Sequence, residues 1–194
     1  MGKKVRWLLV LLTIGVTALL LFRDKIPVPD SKPREPGDPL DSLHGVIVRH
    51  NDGISATHGR NTVDGYNVGL KYQCVEFVKR YYLEHYHHRM PNSYGNAKDF
   101  FDATIADGAI NSDRGLLQFT NPSKAKPAVG DLVVLDGWGA NPYGHVAIVS
   151  AVQDGEVEVI QQNTGSTRNA YDIDLVDGRW RVESQRILGW LRMP

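Results

Sequence analysis

Two strand-length apolar runs joined by a turn signal constrain this chain more tightly than any other feature. "HVAIVSAV" (His145–Val152) and "EVEVIQQN" (Glu156–Asn163) flank Gln153-Asp154-Gly155, and the Asp-Gly pair is a strong hairpin marker. A lone hairpin is marginal in water, so further strands must lie beside it. "DLVVL" (Asp131–Leu135) upstream and "RILGWLRM" (Arg186–Met193) at the end supply them. The first half reads differently. From Cys74 the apolar positions Val75, Phe77, Val78, Tyr81, Tyr82 and Tyr86 follow helical spacing, and a second helix is expected over Ala97–Ile105. "GVIVR" from Gly45 reads as a short strand, the Gly/Asn/Asp-rich stretch Asn51–Gly69 as loop, and Pro122 and Pro127 bracket another loop. Helices followed by an antiparallel sheet make an α+β pattern.

The hairpin register decides which polar side chains share a face. With Asp154-Gly155 as a two-residue turn, His145 shares its face with Gln162. With Gln153-Asp154-Gly155 as a three-residue loop and Gly155 left-handed, Val152 pairs with Glu156. His145, Gln161 and Asn163 then point one way. The apolar pattern fits both.

Cys74 is the only cysteine, so no internal disulfide is available. It stands at the start of its helix, where unpaired N–H groups and the macrodipole favour a thiolate. Glu76, two residues on, opposes that, so a neighbouring imidazole is needed. His145, opening a strand after "WGANPYG", is the best-placed histidine. The imidazole would take the thiol proton and later give it to a leaving amine. Trp138 and Tyr143 in that loop are candidates for a substrate groove. His85, His87 and His88 lie at the far end of the Cys74 helix and read as a solvated helix end. His44, His50 and His58 have no metal-ligand spacing to Cys74. No metal or cofactor is expected. Glu76 and Arg80, spaced i, i+4, read as a surface pair, and Phe77, Tyr81 and Tyr82 as core.

Ahead of this domain, Lys3, Lys4 and Arg6 precede "WLLVLLTIGVTALLLF" (Trp7–Phe22), which carries no charge. As a helix it would be ~24 Å long against a hydrocarbon core of ~30 Å, a gap that Trp7 and the flanking basic side chains can bridge. No small-x-small cleavage site follows, and the positive charges lie mainly before the run. Residues 1–23 therefore read as an uncleaved signal anchor with a cytoplasmic N-terminus and the domain in the periplasm or outside the cell. Residues 24–42 hold five of the ten prolines and read as an extended tether, with the folded domain at 43–194. Basic and acidic residues balance at 22 each, so no positive excess is available to hold nucleic acid.

"QCVEF…R", then "GHVAIV", then a strand ending in "QQN", in that order, resemble the CHAP domain, the cysteine- and histidine-dependent amidohydrolase/peptidase family. The "QCVEF" helix and "ILGW" terminus are most similar to the amidase domain of bifunctional glutathionylspermidine synthetase/amidases. The resemblance implies a papain-like, NlpC/P60-type fold, with N-terminal helices on an antiparallel sheet. It also implies Cys74 as nucleophile, His145 as base and Gln161 as third member, which selects the three-residue loop. The family usually has Glu in an E-x-N triplet there, whereas this chain has Gln161-Gln162-Asn163. A neutral carbonyl can orient an imidazole but cannot balance its charge. Asn163 is a second candidate for orienting the ring, and Gln73 a candidate oxyanion donor beside the Cys74 N–H. The expected activity is cleavage of an amide bond through a Cys thioester, with peptidoglycan peptides as substrate. A glutathionylspermidine-type amidase and a non-catalytic wall-peptide binder are the alternatives.

Overall fold

The computed structural model describes residues 33–194 and, separately, Gly2. The expected anchor at Trp7–Phe22 and most of the proline-rich segment lie outside the described residues. Among the described residues no helix is long and apolar enough to cross a membrane.

Arg34–Pro194 form one compact unit, so the fold begins earlier than the expected boundary at 43. The reason is a hairpin: β1 (Pro39–Leu43) pairs with β2 (Val46–Arg49) through a turn in which His44 and Gly45 both take positive φ. Asp41 is held there by Arg168 at 2.8 Å. The stretch expected to be loop contains a second hairpin, β3 (Arg60–Val63) with β4 (Tyr66–Leu70). Its turn is Asp64-Gly65, again with two positive φ values.

The helix forms as expected, α1 spanning Cys74–Tyr86 and closing on a left-handed His87. A second helix does not. Only one 3₁₀ turn, Lys98–Phe100, occupies the Ala97–Ile105 stretch. Asp102 ends it, its Oδ1 accepting the Thr104 N–H at 2.8 Å while its own N–H goes to Gln118. Such local side-chain bonds compete with a helical ladder. The fold is α+β with a single α-helix among the described residues, rather than several.

The remaining strands are β5 (Ala109–Asn111), β6 (Leu116–Thr120), β7 (Leu132–Leu135), β8 (His145–Gln153), β9 (Glu156–Ile160), β10 (Arg168–Val176), β11 (Arg179–Val182) and β12 (Ile187–Arg192). They form an eight-stranded antiparallel sheet in the order β11-β10-β9-β8-β7-β12-β6-β5. Alternate residues of the central strands feed two cores. Leu132, Val134, Val146, Ile148 and Ile160 pack with Phe77, Val78, Tyr81 and Tyr82 of α1. Val133, Leu135, Ala147, Val149 and Val159 cluster with Trp190 and Val182. Each such fully buried side chain contributes roughly 1.5–3 kcal/mol, so α1 is held firmly against the sheet.

The β8–β9 hairpin differs from both simple registers. Gln153 pairs with Glu156, so the turn is the two-residue Asp154-Gly155 and not the three-residue loop. The ladder then skips a residue between Val149 and Ala151, and beyond this bulge Ile148 pairs with Ile160. The bulge at Ser150 absorbs the extra residue, so towards His145 the strands run in the register that the longer loop would have set.

Candidate active site

Gln73 caps α1 with extended backbone (φ −82°, ψ 160°) and makes no side-chain capping bond. The first-turn N–H groups are therefore free of an intrahelical acceptor and of a cap. Cys74 is half-buried there. The backbone N–H groups of Val146, Val75 and Cys74 itself act on its thiol in favour of the thiolate. Val146 directly follows His145, so helix tip and strand edge meet at the thiol.

His145 is aimed by a tightly packed approach. Gly144 has φ +78°, and a Cβ on it would stand 2.5 Å from the Leu135 carbonyl oxygen and 3.0 Å from the Lys98 nitrogen. No side chain fits. Asn141 secures the loop, its Nδ2 donating to the Gly144 carbonyl at 2.9 Å.

The imidazole Nε2 lies 3.1 Å from Gln161 Oε1. Gln161 Nε2 donates to the Ser166 carbonyl at 3.1 Å, so its oxygen is the end that faces the ring. An acceptor at Nε2 selects the tautomer with hydrogen there and leaves the Nδ1 lone pair available. Burial pushes the Cys74 thiol up, against the opposing pull of the nearby N–H groups. Burial takes His145 down to about 4; the Gln161 bond resists this and the Arg186 charge adds to it. At neutral pH the pair rests as thiol and imidazole.

Gln73, Tyr143 and Asn163 line the same cavity as Cys74 and His145, but the amides of Gln73 and Asn163 are bonded to other groups. Asn163, at left-handed φ 63°, has left the strand. Its Nδ2 donates to Gln73 Oε1 at 2.6 Å and to the Ile54 carbonyl at 3.0 Å, and it makes no bond to His145. Gln73 Nε2 donates to the carbonyls of Ala56 (2.7 Å) and Ile54 (3.2 Å), which occupies both amide hydrogens. These two residues pin the 51–57 loop over the helix tip instead of facing an oxyanion or the ring. Tyr143 lines the cavity at the site, whereas Trp138 does not; Trp138 stands exposed with Arg186 over its ring at 5.9 Å.

Sequence reasoning missed Gln162 and misplaced Glu76. The Glu76–Arg80 pair is buried, not on the surface, with N···O 2.7 Å. Gln162 Nε2 bridges the Gln73 carbonyl and Glu76 Oε2, both at 3.0 Å, and its Oε1 accepts the Arg49 N–H at 2.7 Å. This network ties the helix start to β2 and to the end of β9, and Arg80 pairs with the one carboxylate in the first turn of α1. The i, i+4 spacing was visible; its burial depends on strands far away in the chain.

Of the histidines at the far end of α1, His85 stacks on His44 with ring centroids 4.3 Å apart, and His88 Nε2 lies 2.7 Å from the Arg114 carbonyl. Cys74 and His145 open into one cavity of about 620 Å³, which Arg60, Asn67, Ser93 and Tyr94 line on another side.

The CHAP domain pattern matches residues 64–163, a span that includes the thiol, the imidazole and the Gln161 carbonyl. This chain belongs to the CHAP family. Trypanothione synthetase of Crithidia fasciculata is 27% identical over 191 aligned residues, covering 88% of this chain and 29% of that protein. The bifunctional glutathionylspermidine synthetase/amidase of Escherichia coli (strain K12) is 31% identical over 106 residues, 54% of this chain and 17% of that protein. The CHAP chain thus spans less than a third of these curated relatives. Among solved structures, the crystal structure of Ly7917 shares 24% identity over 51% of this chain and 38% of that one, with a TM-score of 0.33.

Proposed function

We propose that this CHAP domain is a cysteine amidohydrolase acting on peptide amides of the peptidoglycan type. The observation that carries the reading is the His145–Gln161 hydrogen bond. It leaves the Nδ1 lone pair of a cavity-lining imidazole free to take a proton, and the same cavity holds the chain's single thiol. Because thiol and imidazole rest neutral, Nδ1 takes the Cys74 proton as sulfur attacks the carbonyl carbon. The oxyanion is stabilised by backbone N–H groups around the sulfur, on the positive end of α1. Collapse of the adduct breaks the C–N bond, and the imidazolium hands its proton to the departing amine. Water, deprotonated by the same nitrogen, then cleaves the thioester and regenerates the thiol.

A glutathionylspermidine-type amidase is the second reading, favoured by likeness to the Escherichia coli synthetase/amidase. The charged-flanked apolar run Trp7–Phe22 supports tethering to a membrane with the domain outside the cytoplasm, where wall peptides are the available amides. Resistance of the full chain to alkaline carbonate extraction checks the tether.

Turnover of defined amide substrates by wild type and Cys74→Ala tests the main reading. Wall-derived peptides should be cut by wild type alone. Release of spermidine with wall peptides intact would transfer the assignment to the second reading. Binding without cleavage, with Cys74 alkylated no faster by iodoacetamide than a free thiol, would make the domain a peptide binder.

A further inference from the structure

The wall of the cavity formed by β3 and β4 is electropositive. Arg60 is the only charged side chain among the residues that line this space, and no Asp or Glu lines it. Arg60 is held in place by one bond, its Nη1 donating to Asn67 Oδ1 at 2.7 Å. Asn67 is itself buried and fixed by its Nδ2 donating to the Ser93 carbonyl at 2.8 Å. Among the described residues the Arg60 guanidinium makes no ion pair and no further hydrogen bond, so its remaining N–H edge is unspent.

A second cation lies beneath the same wall. Lys79 of α1 is fully buried, and its ammonium donates to the carbonyls of Asn67 and Ser93, both cavity-lining residues. Its ring neighbour is Tyr66 at 4.9 Å, and it pairs with no carboxylate among the described residues. Burial, then the charges of Arg114 and Arg60, bring it down to about 8, so it remains largely protonated at neutral pH and feels the Arg60 charge. The nearby carboxylates are committed elsewhere: Glu76 to Arg80, Asp64 to Arg89, Asp52 to His58, and Asp99 to the Asn96 N–H beside Arg114. A buried uncompensated cation under a guanidinium with a free edge focuses positive potential into the cavity. A planar fork of that kind suits a carboxylate.

We propose that Arg60, positioned by Asn67 and backed by Lys79, forms a carboxylate-binding subsite that selects substrates carrying a free acid group near the scissile amide. The proposal rests on the amidohydrolase reading for its meaning as a specificity element. It gives an acidic peptide the advantage over a polyamine portion, for which this wall is repulsive.

The chain has a single cysteine, so alkylation reports on this cavity alone. Rates with anionic iodoacetate and neutral iodoacetamide, taken as a ratio, cancel the thiol's own reactivity. The wild-type ratio should exceed that of free cysteine, fall roughly fivefold in Arg60→Gln and return in Arg60→Lys. An unchanged ratio in Arg60→Gln, whatever happens to the two absolute rates, overturns the subsite. Paired peptide amides differing only in carboxylate against carboxamide should show a kcat/KM preference for the acid that Arg60→Gln removes. Should no amide be cut while the alkylation ratio still follows Arg60, the hydrolase reading falls and the anion subsite stands. Cys74-dependent cleavage with a ratio indifferent to Arg60 keeps the hydrolase and removes the subsite.

Discussion

In the proposed mechanism, Gln161 governs how the thiol and imidazole share a proton. Its carbonyl orients the ring without a charge to balance an imidazolium, so desolvation prevails and His145 titrates at about 4. The proposed mechanism uses the neutral ring as proton acceptor, so kcat/KM should rise as pH climbs through about 4 and stay level to neutrality. Gln161→Glu places a carboxylate at that distance, which favours the protonated ring. The acid limb should move up by about one unit or more, and thiolate absorbance near neutrality should grow. An acid limb that stays near its wild-type position in Gln161→Glu would show that the Gln161 contact is not what sets the ring's protonation. At this scale the sequence was informative for Cys74, His145 and Gln161, because motif order singled them out. It misjudged Gln73 and Asn163, since their amides are spent on loop carbonyls that no local pattern marks.

Helix α1 owes its position to a polar knot as well as to its apolar face. Glu76, Arg80, Gln162 and Asn61 meet in a buried cluster, Asn61 Nδ2 donating to Glu76 Oε1 at 2.9 Å. Removing one partner leaves a buried guanidinium uncompensated, which costs about 3 kcal/mol or more. Glu76→Gln should lower the denaturation midpoint accordingly with the m-value unchanged, as read by urea titration followed by circular dichroism. A loss below about 1 kcal/mol would mean that solvent reaches the pair. Helix α1 and strands β7, β8 and β12 were legible from period and length. The β3–β4 and β10–β11 hairpins carry the same Asp-Gly signal at Asp64-Gly65 and Asp177-Gly178, with period-two apolar positions beside it (Tyr66, Val68, Leu70; Tyr171, Ile173, Leu175), and were legible too, although sequence reasoning passed over them. The Ser150 bulge left no sequence mark at all, because a skipped residue conserves both composition and period on either side.

Across the whole molecule, β12 inserts between β6 and β7, a neighbour relation that period-two patterning cannot express. Alternation tells which face a residue takes, not which strand lies beside it. The unit as a whole should lose stability on mild acidification. His145 binds its proton at about 4 when folded and near 6.5 when unfolded, so the unfolded state takes up the extra proton first. The contribution is complete above about 6.5 and is lost as pH falls towards 4, amounting to at most about 3 kcal/mol. His85, also lowered by burial and by His44 and His87, acts in the same direction. Asp41, Asp107 and Glu158 are lowered too, but their losses begin only at more acid pH, nearer their ordinary carboxylate range. Unfolding free energy measured from pH 7 to 5 should therefore decline, and the decline should flatten in His145→Asn. Parallel curves for the two proteins would place the acid sensitivity elsewhere.

The skipped residue at Ser150 has an engineering corollary. Because the surplus is stowed partway along the arm, the exposed Asp154-Gly155 apex lies on the far side of the bulge from the imidazole. Short grafts, labels or affinity tags built into that apex would ride on the hairpin while leaving the reacting groups where they are.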